Sequence, residues 1–422
     1  MNKTLKITSI AIILILGLMG FLFFYKNSDG KSGAEIVRNV LPFGAGSDAS
    51  RTQETNFTGN GSEDFSNTEG AVSVLPTLFQ VHKAAVAGAY PFVKKDDAGE
   101  EKTLVRYLER SVGHIFETDL STMQKERISN TTRLKIYEAV WGNNDKNVII
   151  RYLDDTNDST IRSFAIKLAD NTPTLEIPGE KPSVSQETEL EGFFLPENIT
   201  SISVSPDTKK IFYILNTGNR VLGTIYNLES SKTAQIFQSP LTEWLPQWPK
   251  EDTVALTTKP SGDIPGFLYF LNTKTEDLSK ILSGIKGLTT LTNPNSTKVL
   301  YTESFSGGFD LKLYDTKNRS SQTIPFTTLP EKCVWGNENI IYCAVPTKIP
   351  TNTYPDAWYQ GVVTFSDDIW AFDTETFTTK LLVSPVKYSR EEIDAINPST
   401  SSNGKYLFFT NKKDLSLWGV RI

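Results

Sequence analysis

LKLYDTK at residues 311–317 alternates apolar and polar side chains and then runs into turn-forming residues, the pattern of a β-strand that ends in a hairpin. The same pattern returns along the chain with a period of about 45 residues, a spacing typical of propeller repeats. Seven copies are present: HIFETDL (114–120), TIRSFAI (160–166), TIYNLES (224–230), FLYFLNT (267–273), LKLYDTK (311–317), IWAFDTE (369–375) and LSLWGVR (415–421).

A second strand precedes each copy, as in LVRYLER (104–110) and IIRYLDD (149–155). Shorter inner strands that end in Trp or Pro and a polar turn come before these, and weaker outer strands follow the copies. Helical periodicity is nearly absent after Tyr25. Four short antiparallel strands per repeat predict an all-β fold, a seven-bladed β-propeller.

Two of the repeats carry a family resemblance. SVSPDTKKIFYI and LPQWPKEDTVAL are similar to the P-x-W-S-P-D-G-K-x-I-x-F repeat of TolB-like and WD40-like propellers. The resemblance covers roughly 76–422, the motif glycine is kept only in NGKYLFF of the last repeat, and the Trp-Asp dipeptide is missing. It implies the propeller fold and leaves the function open.

The last repeat ends after its third strand, at Ile422, and lacks an outer strand. TLFQVHK (77–83) precedes the first repeat's own inner strand, VAGAYPFV. We therefore expect 77–83 to supply the missing strand and close the ring, which removes the sheet edges that an open ring would expose.

The composition of the chain argues against several classes of function. A net charge of −6, with no basic stripe, argues against nucleic-acid binding. The chain has only two histidines and two cysteines, which argues against a zinc site and against a Ser-His-Asp triad. We expect no metal, no cofactor and no catalytic residues, although catalysis stays open as an alternative.

Residues 7–24, ITSIAIILILGLMGFLFF, form an uncharged apolar run that as a helix would rise about 27 Å. This nearly matches a bilayer core, and the run lacks the small residues of a signal-peptidase site. We predict a transmembrane anchor at 1–25, a flexible linker rich in Gly, Ser and Asn at 26–75, and the propeller at 76–422. The flanking lysines favour neither orientation, and we expect a single-pass protein with its propeller outside the cytoplasm.

Successive strands of a blade run antiparallel, so links between blades and second-to-third-strand loops emerge on one face. We expect the insertions 171–198, between blades two and three, and 346–366, in blade six, to meet there with the blade-four loop TKPSGDIPG. Tyr354, Asp356, Trp358 and Tyr359 in the blade-six insertion are binding candidates, because exposed aromatics anchor partners or stack on sugars. The alternative is that Trp358 folds back over blade six or the channel.

Three further groups of residues are candidates for a site or for packing. Asp367 and Asp368 are candidates for binding a cation or, alternatively, start the next strand. Trp141, Trp248 and Trp335 stand at equivalent ends of inner strands and are predicted to pack between blades. Cys333 and Cys343 flank a hairpin and are either a disulfide or two buried thiols.

The sequence thus favours a membrane-anchored propeller that acts as a scaffold for a protein or an envelope glycan. Two alternatives remain: a propeller-type carbohydrate-active hydrolase or lyase, and a TolB-like component of envelope assembly.

Overall fold

A computed structural model describes residues 75–96, 98–129, 132–142, 144, 146–157, 159–168 and 191–422. The predicted anchor, nearly all of the linker and most of the blade-two insertion lie outside these residues. Within the described ranges, no helix has the length and apolar composition needed to cross a membrane.

The described chain forms seven four-stranded antiparallel sheets, which confirms the all-β seven-bladed propeller. Blades one to six are β2–β5, β6–β9, β10–β13, β14–β17, β18–β21 and β22–β25, and blade seven combines β26–β28 with β1. The strands of the first three blades and the closing strand are β1 (Leu78–His82), β2 (Val86–Lys95), β3 (Glu101–Glu109), β4 (Ile115–Asp119), β5 (Lys125–Arg127), β6 (Ile136–Gly142), β7 (Asn147–Leu153), β8 (Ile161–Lys167), β9 (Gly192–Phe194), β10 (Ile199–Val204), β11 (Lys210–Asn216), β12 (Val221–Asn227) and β13 (Thr233–Ser239).

The remaining blades follow the same plan. Their strands are β14 (Trp244–Lys250), β15 (Thr253–Thr258), β16 (Pro265–Asn272), β17 (Leu278–Lys286), β18 (Thr290–Thr292), β19 (Lys298–Phe305), β20 (Gly308–Asp315), β21 (Ser320–Thr323), β22 (Cys333–Trp335), β23 (Ile340–Pro346), β24 (Asp367–Asp373), β25 (Thr378–Val383), β26 (Ala395–Thr400), β27 (Tyr406–Asn411) and β28 (Leu417–Arg421). A 3-10 turn, Pro330–Lys332, precedes β22, and two short helices, α1 (Asp356–Tyr359) and α2 (Pro385–Ser389), flank β24 and β25.

The first strand of each blade is the innermost. First strands of neighbouring blades contact each other around the ring, except that β18 reaches blade six through the turn Pro330–Lys332. The approach is close at Gly88, where an added Cβ would stand 2.1 Å from the backbone oxygen of Ala139. A glycine is therefore required where the inner strands of blades one and two meet.

The hydrophobic core lies between blades. Second strands such as β11 (KIFYILN) are buried over four consecutive residues, because a neighbouring blade covers each side of the sheet. Trp141, Trp248 and Trp335 are each buried among side chains of two adjacent blades, which confirms their predicted packing role.

Five of the seven third strands identified in the sequence end in the same turn within the described residues. The side chain of an Asp or Asn at the strand end accepts hydrogen bonds from the backbone N–H groups of the second or third residue after it. The fourth residue after it has a positive φ. The pairs are Asp119 and Met123, Asn227 and Ser231, Asn272 and Glu276, Asp315 and Arg319, and Asp373 and Phe377. These side-chain bonds satisfy backbone donors and hold the turn tight.

β1 closes the ring as predicted. It pairs antiparallel with β28, with Leu78 opposite Val420 and His82 opposite Leu417. Phe79 is buried beside Phe408 in the resulting core. The first described strand of the chain thus completes the last blade.

The connections emerge on two faces. We call the face with blade links and second-to-third-strand loops the insertion face, and the face with the remaining turns the turn face. β9 (Gly192–Phe194) pairs with β8 as the fourth strand of blade two, so the insertion predicted to link blades two and three contains an outer strand, and only 195–198 link the two blades. Residues 169–190 lie outside the described residues. The reason for expecting the two large insertions to meet on one face, that 171–198 lie between two blades, is therefore wrong.

Candidate functional site

The blade-six insertion, residues 347–366, folds onto the insertion face. The backbone N–H of Thr347 donates to the carbonyl of Ser366 at 2.9 Å and closes its base. Tyr354, Trp358 and Phe365 form a small apolar core with residues of blade five and of the link into blade six. The insertion is thus a folded part of the propeller.

Polar contacts tie the insertion to neighbouring blades. Gly262 N–H, in the blade-four loop, donates to Asp356 at 2.6 Å, and Ser304 of blade five donates to the carbonyl of Tyr354 at 2.7 Å. The predicted meeting of the blade-four loop with this insertion is confirmed. Because the bonds reach blades four and five, the insertion spans several blades.

A lysine and two aspartates are buried beneath the insertion. The Nζ of Lys332 lies 2.5 Å from Asp394 Oδ1 and 2.8 Å from Asp367 Oδ2, and it also donates to the carbonyl of Ala395 at 2.9 Å. All three charged side chains have 0 % exposure. We call Lys332, Asp367 and Asp394 the buried charge cluster.

Asp394 accepts most of the cluster's hydrogen bonds. The indole Nε1 of Trp358 donates to both of its carboxylate oxygens, and the backbone N–H of Phe365 donates to Oδ2 at 3.0 Å. The Trp358 ring has two cations near its face, Lys332 at 5.3 Å and Lys412 at 4.2 Å from its centroid. Trp358 is therefore held by packing, hydrogen bonds and cation–π contacts together.

Burial shifts the pKa values of two groups in this region. It raises the pKa of the Asp367 carboxyl to about 6, against the opposing effect of the Lys332 ammonium. Burial also lowers the pKa of Lys412, which Asp394 partly restores. One oxygen of Asp367, Oδ1, is buried and has no hydrogen-bond partner.

A cavity of about 490 Å³ opens beside the insertion. Trp244, Leu245, Pro260 and Tyr359 form its apolar wall, and Thr200, Ser201, Asn216, Thr242, Glu243, Lys259 and Glu331 add polar groups. Such a mainly apolar cavity with few polar groups is typical of a ligand or side-chain pocket.

Glu331 and Tyr359 form the polar end of this cavity. The Tyr359 hydroxyl donates to Oε1 of Glu331, while Oε2 is buried without a partner. Burial raises the pKa of Glu331, and burial together with the Glu331 charge raises the pKa of Tyr359 well above its usual value. The other carboxylate of the cavity, Glu243, is paired with Lys259 at 2.5 Å.

The predicted binding residues divide between buried and accessible positions. Tyr354 and Trp358 are buried, so the expectation that they are exposed is wrong for both, and the alternative in which Trp358 folds back describes the structure. Asp356 is half-buried and bonded to Gly262, and Tyr359 stays 39 % exposed at the cavity. These two aromatics are buried because, with Phe365, they form the core of the insertion.

Asp367 and Asp368 start β24, as the alternative interpretation held. Asp367 enters the buried charge cluster, and Asp368, on the other side of the strand, lines a cavity of about 250 Å³ with Phe326 and Trp370. Among the described residues, no group of three or more His, Cys, Asp or Glu side chains is placed to hold a metal ion.

Sequence reasoning overlooked Lys332, Asp394 and Glu331. A signal was present: Lys332 and Asp394 each stand immediately before the inner strand of adjacent blades, with opposite charges at the same position of the repeat. A charge at that position faces the equivalent residue of the next blade, which is why the pair meets.

Cys333 and Cys343 lie directly opposite each other in the β22–β23 pair. Their Cα atoms are 4.1 Å apart and their sulfur atoms are joined. The pairing links the innermost and second strands of blade six, next to Lys332.

This architecture defines the chain as a seven-bladed β-propeller protein. No family model matches the sequence, and no curated protein matches it. Solved structures do match the fold, at low sequence identity.

Three of these structures have a TM-score of 0.51. The tricorn protease is 11 % identical over 84 % of this chain and 35 % of its own. An oligogalacturonate lyase from Vibrio parahaemolyticus is 11 % identical over 82 % of this chain and 93 % of its own. The β-propeller domain of the Trilobed protease from Pyrococcus furiosus, which has an open velcro topology, is 10 % identical over 80 % and 95 %.

This chain therefore spans about a third of the tricorn protease and nearly the whole of the other two. At such identity the likeness shows the fold alone. The propeller implied by the sequence resemblance is confirmed at that level.

Proposed function

We propose that this chain is a membrane-anchored, extracytoplasmic scaffold whose insertion face binds a protein partner. One observation carries the proposal, the distribution of exposed large apolar side chains among the described residues. Nine of the thirteen lie on the insertion face: Leu134, Leu241, Leu245, Ile264, Phe305, Tyr359, Val362, Val386 and Tyr388.

The other four are scattered. Met123 and Leu278 lie on the turn face, and Phe194 and Leu381 lie on outer strands. A concentration of exposed apolar residues on one face is typical of an interaction surface, whereas single apolar residues on a surface need no explanation.

The chemistry of the insertion face favours a protein over a glycan. Sugars stack on exposed aromatic rings, but the most exposed residues here are the aliphatic Val362, at 69 %, and Ile264, at 63 %. The cavity beside Tyr359 lies on the same face and can accept a side chain of the partner, since binding energy concentrates in such pockets.

An enzyme is the weaker reading. A glycoside hydrolase would use two free carboxyl groups facing one another, whereas Glu243 is paired with Lys259 and Glu331 with Tyr359. A role in envelope assembly rests on the fold resemblance alone.

The binding proposal is tested by capture from native membranes with the full-length chain. Ile264→Asp and Val362→Asp each place a charge in the proposed interface, and Leu278→Asp places the same charge on the turn face. We expect crosslinked proteins that the wild type and Leu278→Asp retain and that both insertion-face variants lose. Equal capture by all four chains would contradict the proposal, and retention of polysaccharide with no protein would point to a glycan.

Location is proposed from the sequence and the cysteine pair. Residues 7–24 serve as the anchor, and a disulfide between Cys333 and Cys343 fits an oxidising compartment. Protease added to intact cells should remove the propeller, and alkylation of denatured protein should label the two cysteines only after reduction. A propeller left uncut, with both thiols labelled without reductant, would place it in the cytoplasm.

A further inference from the structure

The buried charge cluster combines groups that can react with one another. An amine and a carboxyl group form an amide when they are held together, when both are uncharged, and when a neighbouring acid moves the protons. Lys332 and Asp394 supply the amine and the carboxyl at 2.5 Å, and Asp367 lies 2.8 Å from the same nitrogen.

The reacting groups are buried together. Lys332, Asp367 and Asp394 are all inaccessible to solvent, and Trp358 and Phe365 place aromatic rings within 5.4 Å of the Lys332 nitrogen. The reaction requires one proton to pass from the Lys332 ammonium to the Asp394 carboxylate, without exchange with solvent. The transfer leaves a neutral amine against a carboxylic acid, with Lys412 as the remaining nearby cation.

The groups around Asp394 suit the attack. The Phe365 backbone N–H and the Trp358 indole N–H both point at Oδ2, at 3.0 Å each. Fixed donors of this kind stabilise the negative charge that develops on a carbonyl oxygen when a nucleophile adds. Asp367 has a free buried oxygen, Oδ1, that can accept and return a proton.

We propose that Lys332 and Asp394 form an intramolecular isopeptide bond, with Asp367 as the proton-transfer group. The Nζ lone pair adds to Cγ of Asp394, which forms the C–N bond and places charge on Oδ2. Asp367 takes a proton from the nitrogen and gives it to Oδ1, the Cγ–Oδ1 bond breaks, and water leaves. The ammonium and carboxylate become one amide and one water, and no oxidant or cofactor takes part.

The bond would cross-link blade six to blade seven beneath the insertion. Lys332 precedes β22 and Asp394 precedes β26, so the amide would join the entry points of two adjacent inner strands. The Trp358 hydrogen bonds would then fall on a neutral carbonyl.

Mass spectrometry of the full-length protein, reduced and denatured, tests the proposal directly. We expect the wild type to weigh one water less than its sequence requires. Trypsin should leave Lys332 uncut and release peptide 320–348 joined to peptide 391–405. Unmodified peptides from folded wild-type protein, with cleavage after Lys332, would overturn the proposal whatever the variants do.

Variants separate the roles. Lys332→Arg and Asp394→Ala remove the reacting groups, and Asp367→Asn removes the proton carrier while the other two remain. All three should show no loss of water, and the matched control Asp368→Asn, which lies outside the cluster, should keep it. Full water loss in Asp367→Asn would overturn the assignment of the proton carrier.

Discussion

The indole nitrogen of Trp358 donates to both carboxylate oxygens of Asp394, at 3.2 and 3.0 Å, although the two residues lie on different blades. Asp394 precedes the inner strand of blade seven, and Trp358 belongs to the insertion of blade six. Their contact fixes the insertion against the ring, and its removal has a measurable cost.

Trp358→Phe keeps an aromatic ring next to Phe365 but removes the donor to Asp394. Lys332 and the Phe365 N–H still bond Asp394, so the loss is that of hydrogen bonds to a charged group, and we expect the free energy of unfolding to fall by about 1.5–3 kcal/mol. Trp358→Ala also leaves a cavity and should cost about 3–5 kcal/mol. Urea denaturation measures both, with Val362→Ala, at an exposed position of the insertion, as a control expected to change little.

The Asp367 carboxyl predicts a pH dependence of stability. Its pKa is raised to about 6 in the folded protein, from an ordinary value near 3.8, so the folded state binds the proton more tightly. Stability from this group therefore rises as pH falls from about 6 to about 4 and is lost as pH rises through 6. An amide at Lys332 would remove the ammonium that lowers this pKa, so the direction holds with or without the cross-link.

His82 has the opposite effect on the pH dependence of stability. Burial lowers its pKa, so the folded protein binds a proton at His82 less tightly than the unfolded chain does. The measurement is therefore a difference, the pH profile of unfolding for the wild type minus that of Asp367→Asn. We expect this difference to slope by at most about 1.4 kcal/mol per pH unit between pH 4 and 6. Parallel profiles would show that Asp367 does not titrate in this range.

Removal of the closing strand, β1, is expected to cause a large loss of stability. Deleting 76–83 exposes the edge of β28 and removes Phe79 from the core, so we expect loss of cooperative unfolding. Phe79→Ala alone should cost about 3–5 kcal/mol, and Gln80→Ala, on an exposed position of β1, should cost little. Thermal unfolding compares them, and an unchanged melting temperature for the deletion would refute closure by β1.

The turns between first and second strands predict a stabilising change. Gly404 of the last blade has φ +66°, and Ser296 at the equivalent turn of blade five has φ +59°. Left-handed backbone is costly for a residue with a Cβ, so Ser296→Gly should stabilise by roughly 0.5–1 kcal/mol. The Ser296 hydroxyl is buried without a partner, so its loss removes no bond.

Gly404→Ala provides the reverse test at the same position of the repeat. Space around it is open, so the change reports on the backbone alone and should destabilise by about 1 kcal/mol. A free energy of unfolding that is lower for Ser296→Gly than for Ser296→Ala, measured by urea denaturation, would contradict the explanation given for both turns.

The fold was predictable from the sequence because it depends on a local pattern. Third strands such as LKLYDTK alternate apolar and polar residues and end in Asp or Asn, and both properties act within a few residues. The closing strand followed from counting, since the last blade has one strand too few. The three residues of β9 were too short to be recognised, and the blade-two insertion was misplaced as a result.

The site was predictable only in part. An insertion has no periodic sequence pattern, so the residues around Trp358 do not indicate whether its ring is buried. Its partners, Lys332 and Asp394, are distant in the sequence. Tyr359 is the aromatic candidate that stays accessible, because the small core does not need its ring. Contacts on the insertion face between segments that are distant in the sequence depend on how the blades are arranged in the ring. Local sequence patterns do not indicate that arrangement.

Closure by β1 also determines how the molecule would carry a mechanical load. Leu78 lies at the turn-face end of β1 and His82 at the insertion-face end, so a chain arriving from the N-terminal side enters opposite the apolar surface. In a propeller anchored as proposed, tension between a bound partner and the membrane would run along β1. That tension would shear all of the β1–β28 hydrogen bonds together, the loading direction in which a paired strand resists extraction best.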